Sequence, residues 1–440
     1  MSTTPRQIKI GLAGLGNVGA GVVKNIAKNH GLLVARTDVD LSVTRIAVRD
    51  LGKKRDVDVP AESLTNDLES LVNDPEIDVI VELIGGTDKA RDFVTAALKA
   101  KKPVVTGNKA RLAEHGIELM SLAEKENVPL YCEAAVAGGI PIIKAVGEAL
   151  VANQIDAIYG IINGTSNYIL MRMQNAGLPF ADALQEAQDL GYAEADPALD
   201  INGWDAAHKA IILAWLSYGR WPNPKDIHVE GIETIAPIDI NFARTLGYHI
   251  KLVGVVKPGQ SSSHPGHVEV RVQPSLLPRT HTLAHINGVQ NALAVRGDVV
   301  GETLYAGPGA GQDATSSSVI ADLADAAHNI VQGTAYEGFI HHGEFGAAVP
   351  LSETVSQYYV RLSVVDEPGT IAAITQVLAA HDIGILSIIQ PEPDADTGGP
   401  ATLVLTLHDA PYGRVTDALD EIKTLPCTKE EPVLYRIEAL

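Results

Sequence analysis

Residues 190–210, LGYAEADPALDINGWDAAHKA, set four carboxylates, Glu194, Asp196, Asp200 and Asp205, against the single ammonium of Lys209. Like charges crowded into a loop repel unless a cation compensates them. A bound ammonium group would do so. Asn202 or Gly203 is placed to start a helix at WDAAHKAIILAWL, which sets Asp205 and Lys209 one turn apart on one face. An ordinary surface pair is the competing reading; the acid-rich loop directly before the helix argues against it.

A second chemistry is written near the start of the chain. Gly14, Gly16 and Gly19 form G-x-G-x-x-G after the strand-like QIKIGLA, a helix follows from about Val18, and a further strand ends near Val48. Such glycines allow a tight turn, close approach of backbone to a pyrophosphate and close helix packing, while free amides at Asn17, Val18 and Gly19 attract the anion. A dinucleotide is the expected ligand. Cofactor choice falls to VRDLGKKR, where Arg49, Lys53, Lys54 and Arg55 would meet a 2′-phosphate. This favours NADP; Asp50 leaves NAD open, and a solvated basic loop is the alternative. The strand ends IGGT (84–87) and TGNKA (106–110) should open on the same edge, making Thr87 and Lys109 candidates for nicotinamide or substrate contacts. Taken alone, Lys109 reads equally well as a surface lysine.

The elements that must position these residues alternate. Strand-like runs at DVIVELIGG, PVVTGNKA and VPLYCEAAV are separated by helical stretches, which implies a parallel sheet covered on both faces, a Rossmann-type domain over about 1–150. GPGAGQDATSSSV, with Gly311 in its turn as a further cofactor contact, feeds a helix that completes that domain at about 308–335. Between them, 151–307 carries long helices and then strands at IKLVGVV, HVEVRVQ and NALAVRG, which gives a second domain of the α+β kind; it is assigned as the substrate-binding, catalytic and dimerisation domain. Residues 336–355 lack periodicity and read as a linker. The last stretch, 356–440, repeats β-α-β-β-α-β around the loop PEPDADTGG, the ferredoxin-like arrangement. Within it, DEPGTIAAI puts Asp366, Pro368 and Gly369 at a turn opening a helix, with free amides that suit a carboxylate.

Composition bounds the function classes. With 440 residues, two or three domains are expected. A net charge of −20 argues against a nucleic-acid partner. The 2 cysteines, Cys132 and Cys427, are too few for a disulfide framework. MSTTPRQIKI lacks the plan of a signal peptide, and no run approaches the ~20 apolar residues of a membrane span. A cytoplasmic protein is expected.

GLGNVG, IVELIGGT, TGNKA, EAAVAGGIPII, NGTSNYIL, LGYAEADPALDINGWDAAHK and GPGAGQDATSSSV, in this order, make the chain resemble homoserine dehydrogenase, with a C-terminal segment similar to an ACT regulatory domain. The resemblance covers essentially the whole chain. It implies reversible reduction of L-aspartate 4-semialdehyde to L-homoserine by NAD(P)H, on the route to threonine and methionine. It further implies that Lys209 is the acid/base residue, with Lys109 a second catalytic candidate, and that Glu194 holds the substrate amino group. Asp200 and Asp205 would stand beside it, and Thr165 and Tyr192 would line the pocket. Glu133, Val136, Gly138 and Ile140 fall on the family's site for sodium or a similar monovalent cation; the segment alone reads as a hinge. The ACT likeness implies an amino-acid effector, threonine as end product, between paired domains of a homodimer or homotetramer; a dimerisation module without ligand is the alternative. With no room for an aspartate kinase domain, the single-function form is expected.

A lysine with a reference pKa near ~10.4 is a ready acid for the reduction. It is a poor base for the reverse, so homoserine oxidation should rise with alkaline pH. A nucleotide-binding sensor without turnover, or another amino-acid dehydrogenase of the same architecture, is the rival reading.

Overall fold

The apolar runs RQIKIGLA and VDLSVTRIA become β1 (Arg6–Ala13) and β2 (Val39–Ala47), with α1 (Asn17–Lys28) and α2 (His30–Thr37) between them. Then follow β3 (Leu64–Thr65), α3 (Glu69–Asn73), β4 (Val79–Glu82), α4 (Asp88–Lys99), β5 (Val104–Thr106), α5 (Lys109–Glu126), β6 (Leu130–Tyr131) and α6 (Ile142–Lys144). Next come β7 (Ile155–Ile161), α7 (Gly164–Ala176), α8 (Phe180–Asp189), α9 (Ala198–Ile201), α10 (Trp204–Tyr218), β8 (His228–Val229) and α11 (Pro237–Thr245). The chain continues through β9 (Tyr248–Pro258), β10 (Val268–Pro278), β11 (Gln290–Gly297), β12 (Gly301–Pro308) and α12 (Gln312–Gln332). It closes with β13 (Val355–Val364), α13 (Thr370–Ala380), β14 (Ile385–Ile389), β15 (Ala401–Pro411), α14 (Tyr412–Thr424) and β16 (Val433–Ile437). The computed structural model describes residues 5–334, 348–391 and 400–440; much of the expected linker and the PEPDADTGG loop therefore lie outside the described residues.

Two units divide the chain, one from residues 1–156, 207–224 and 290–345, the other from 157–206, 225–289 and 346–440. In the first, the sheet order is β3-β2-β1-β4-β5-β6 with every pairing parallel. This is the doubly wound order whose ligand edge lies where the strand sequence reverses, between β1 and β4. Strands buried on both faces read as apolar runs, and Ile8, Ile10, Leu12, Val79 and Val81 are all fully buried. The late helix α12 joins this core through Val319, Leu323, Ala326 and Ala327. β11 and β12 form an antiparallel hairpin within the same unit.

In the second unit the sheet runs β7-β9-β10-β16-β13-β15-β14, with β8 beside β10. Its last four members have the ferredoxin-like order, and their core gathers Leu362, Leu403 and Leu405 under Ile374, Val415 and Ile422 of α13 and α14. β16 also pairs with β10 in parallel, so the C-terminal sheet continues directly into β9 and β10. At that join Arg271, 1% exposed, donates from both Nη atoms to Glu438 at 2.7 and 2.8 Å and from Nε to Glu269 at 2.8 Å. On the neighbouring strand β13, Arg361 and Tyr359 both donate to buried Asp239 of α11. Among the described residues, no helix is long and apolar enough to cross a membrane.

Candidate functional site

The first glycine of the fingerprint makes the turn that leads into α1. Gly14 sits at φ +103°, where a Cβ would lie 2.6 Å from Leu83 O, and its N–H donates to Ala47 O at 2.9 Å. Around Gly16 a Cβ would meet nothing within 4 Å, which leaves room for a ligand. At Gly19 it would lie 2.1 Å from Gly14 O, so helix and turn touch only because no side chain intervenes. Gly16 caps α1 without a side-chain bond and the first turn carries no acid, leaving the amides of Asn17, Val18 and Gly19 to an anion. Gly311, at φ +122°, caps α12, whose Gln312 donates to Asn17 at 3.2 Å; the structure thus brings these two Gly-turn helix starts together. Gly19→Ala should cost roughly 1–3 kcal/mol of overpacking. NADPH affinity, read by fluorescence titration, should fall by about tenfold or more.

Beyond β2, Asp50 accepts from Gly52 N at 2.8 Å, and Arg55 folds back onto the carbonyls of Asp50 and Lys53. Arg49 and Lys53 remain as exposed cations at the strand end.

The ends of β4 and β5 are braced from beneath. Buried Glu82 accepts from Ile84 N at 3.0 Å and from Thr106 Oγ1 at 2.7 Å, and pairs with buried Arg111 at 3.1 Å. Asn108 caps α5 by accepting from Arg111 N, and donates to Ile84 O at 3.1 Å and Gly86 O at 2.8 Å. One asparagine thereby ties the IGGT loop to the helix whose first residue is Lys109, half-buried, while Thr87 caps α4 on the other side of that loop. The sequence placed Thr87 and Lys109 on this edge but gave no reason to pick Asn108. These strands are also shorter than the runs suggested, because the chain turns at Glu82 and Thr106 to build the edge. A cleft of about 640 Å³ lies at the opposite, amino ends of the strands, around Asp78, Pro103 and Pro129, away from the ligand edge.

The acid-rich loop sorts its four carboxylates. Asp196 is spent on Ala198 N at 3.2 Å, at the start of α9, and Glu194 is exposed. Asp200 and Asp205 are brought together by Asn163, whose Nδ2 donates to Asp200 Oδ1 at 2.7 Å and to Asp205 Oδ2 at 2.9 Å. Thr165 donates to Tyr192 O at 2.8 Å, and the Tyr192 ring stands edge-on to Tyr168 at 5.0 Å. On α10, Asp205 is 9% exposed and Lys209 7%. Burial of both removes the surface ion pair as an account of their spacing. Asn163 was missed in the sequence; an asparagine directly before the helical GTSNYIL is the cap signal that would have found it.

Glu133, Val136 and Ile140 are buried, as is Gly138. Both Glu133 oxygens accept amides, from Ile143 at 3.0 Å and Lys144 at 2.8 Å; Gly138 O accepts from Ser318 at 2.6 Å and Ile140 O from Ile142 N at 2.8 Å. Burial pushes the Glu133 carboxyl up to about 7, against the lowering effect of those amides and of Lys144. Each bonded oxygen keeps a second lone pair, the kind of donor a hard monovalent cation takes.

In the C-terminal module, Gly369 at φ +100° caps α13 without a side-chain bond. Asp366 accepts from Gln390 at 3.0 Å. These residues, Pro368 and Thr370 line a cleft of about 360 Å³.

Three family models match: "Homoserine dehydrogenase, NAD binding domain" over 14–133, "Homoserine dehydrogenase" over 141–324 and "ACT domain" over 358–424. Homoserine dehydrogenase of Neisseria gonorrhoeae is 41% identical over 443 residues, 99% of each chain. The crystal structure of a homoserine dehydrogenase from Thiobacillus denitrificans superposes with a TM-score of 0.91 at 38% identity, covering 98% of both chains. A hyperthermophilic archaeal homoserine dehydrogenase in complex with NADPH superposes at 0.60 with 28% identity, over 75% of this chain and 99% of its own. The chain belongs to the homoserine dehydrogenase family, NAD(P)-dependent oxidoreductases acting on a CH–OH group, and carries a C-terminal ACT domain.

Proposed function

We propose that the chain reduces L-aspartate 4-semialdehyde to L-homoserine, reversibly, in threonine and methionine biosynthesis, with NADPH preferred over NADH. The observation that carries this reading is buried Asp205, bridged to Asp200 by one amide and followed one helical turn later by buried Lys209. NADPH supplies hydride to the aldehyde carbon. Lys209 then donates the proton to the oxygen that becomes the hydroxyl. Glu194, with Asp200 and Asp205 beside it, holds the substrate ammonium, while Thr165 and Tyr192 shape the pocket. Lys109 and Thr87 serve the nicotinamide side, Gly14, Gly16, Asn17, Val18, Gly19 and Gly311 the pyrophosphate, and Arg49 and Lys53 the 2′-phosphate. Glu133, Val136, Gly138 and Ile140 would hold a sodium-like ion that ties the 133–140 turn together; raised melting in sodium over a tetramethylammonium control would support it.

The division of labour follows the sequence: nucleotide binding in 1–150 with the helix of 308–335, substrate binding and dimerisation in 151–307, and regulation in 356–440. Threonine binding at Asp366, Pro368 and Gly369 lowers activity in a cytoplasmic homodimer or homotetramer. The deciding assay follows loss of NADPH or NADH absorbance on adding aspartate semialdehyde, with and without threonine. No absorbance loss with either cofactor would leave only the sensor reading; an unchanged rate with threonine would reduce the C-terminal module to assembly. Glu194→Ala should mainly raise the KM for the amino-acid substrate, which steady-state kinetics would read.

A further inference from the structure

Two aspartates share one amide in the second unit, and the sharing has a use. Asn163 is 5% exposed, and its Oδ1 accepts from Ser166 N at 2.8 Å, which fixes the plane of the amide at the start of α7. Its Nδ2 then has both hydrogens directed at carboxylate oxygens, Asp200 at 2.7 Å and Asp205 at 2.9 Å. One side of the amide thus faces a donor and the other faces two acceptors, which matches its carbonyl and its NH2 group. Ser166 Oγ adds a bond to Asp200 O at 2.7 Å, so α7 holds that residue by backbone as well as side chain.

The helix that presents the amide is itself anchored. One turn on, Asn167 donates to Ile286 O at 3.2 Å and Gly288 O at 3.0 Å, and accepts from buried Lys251 at 3.0 Å. Gly164 lies against Val289, where a Cβ would come within 2.6 Å of the carbonyl oxygen. A side chain carried on so fixed a base can hold a partner to within the tolerance a binding site needs.

Charge explains the choice of residue. Two carboxylates within reach of one nitrogen repel each other. A lysine or arginine bridge would relieve the repulsion by neutralising them. An amide supplies two N–H dipoles and adds no charge of its own, so it draws the two carboxylates together without neutralising either. Building on the proposed substrate site, we infer that Asn163 is a positioning residue, holding Asp200 and Asp205 together as one receptor for the substrate's ammonium group.

The test uses the full-length enzyme with homoserine and NADP. Asn163→Ser keeps a good helix cap but cannot reach both aspartates; Asn163→Asp keeps the cap and the shape and substitutes a third carboxylate for the donor. Loss of hydrogen bonds to charged groups should raise the KM for homoserine by roughly 10- to 100-fold in Asn163→Ser, with a much smaller change in kcat and none in the KM for NADP. In Asn163→Asp the acid limb of kcat/KM should move up by about one pH unit. Asp200→Asn and Asp205→Asn serve as controls for the site itself. If they raise KM while Asn163→Ser stays within about twofold and the Asn163→Asp limb does not move, the bridge is only a helix cap and the inference falls. If the aspartate variants also bind homoserine normally, the substrate site was misplaced and both readings fall. Should Asn163→Ser melt far below the parent, the pH profile of Asn163→Asp decides alone.

Discussion

Lys209→Ala is expected to lower kcat for aldehyde reduction by roughly 10² or more, the usual weight of a placed acid/base group. The side chain is 7% exposed on α10, so its amine is not a freely solvated surface charge. The KM for NADPH should stay close to that of the parent, which separates loss of the proton donor from loss of the fold. Steady-state kinetics in both directions would measure this, with Lys109→Ala beside it. Near-normal turnover in Lys209→Ala combined with collapse in Lys109→Ala would transfer the proton to the lysine at the start of α5.

The largest expected effect on stability is that of Arg271→Met. The substitution leaves Glu438, 2% exposed, and Glu269, 4% exposed, without the guanidinium that both accept from. Removing one partner of a buried ion pair costs about 3–5 kcal/mol. Glu269 keeps Lys257 at 3.3 Å and Glu438 keeps Ser275 at 3.0 Å, so the loss should centre on Glu438. Burial alone would raise the Glu438 carboxyl; the charge and hydrogen bonds of Arg271 outweigh it and hold the group at about 2. With a folded value below the unfolded one, this carboxylate contributes stability above about pH 4.5 that is lost as pH falls toward 2. In Arg271→Met the sign reverses: burial now dominates, and the variant should be relatively less handicapped at pH 5 than at pH 8. Urea melts of both proteins across that range would show the gap narrowing; a gap that widened toward acid would refute the account. Arg271→Met/Glu438→Leu should recover much of the loss, because a matched apolar pair replaces a desolvated charged one.

Most of the architecture was legible because it rests on short-range rules. The glycine turn, the strand before it and the helix after it are one local unit, and each of Gly14, Gly16 and Gly19 meets the steric condition its place in the motif implies. The β-α-β-β-α-β order of the last stretch could likewise be read from periodicity alone. What the sequence hid depends on long-range pairing. Nothing in PVLYRIEAL announces that β16 has β10 as one neighbour and β13 as the other. Two-residue strands such as β3, β6 and β8 have too few residues for an alternation to show. The candidate site was half legible: residue types marked Asp200, Asp205 and Lys209, whereas Asn163 and Asn108 matter through partners 37 and 24 positions away, Asp200 and Ile84. A neutral amide carries no charge pattern to betray it.

The place of β16 bears on how this enzyme can be taken apart. A chain stopped before Val433 would lose β16, which stitches β10 to β13, baring two ladder edges at once and stranding Arg271 without the Glu438 carboxylate. Unpaired edges invite pairing with other chains. Truncation is therefore the wrong tool for testing the proposed effector site, since aggregation would mask any change in activity; substitutions confined to the DEPG turn leave that stitch intact.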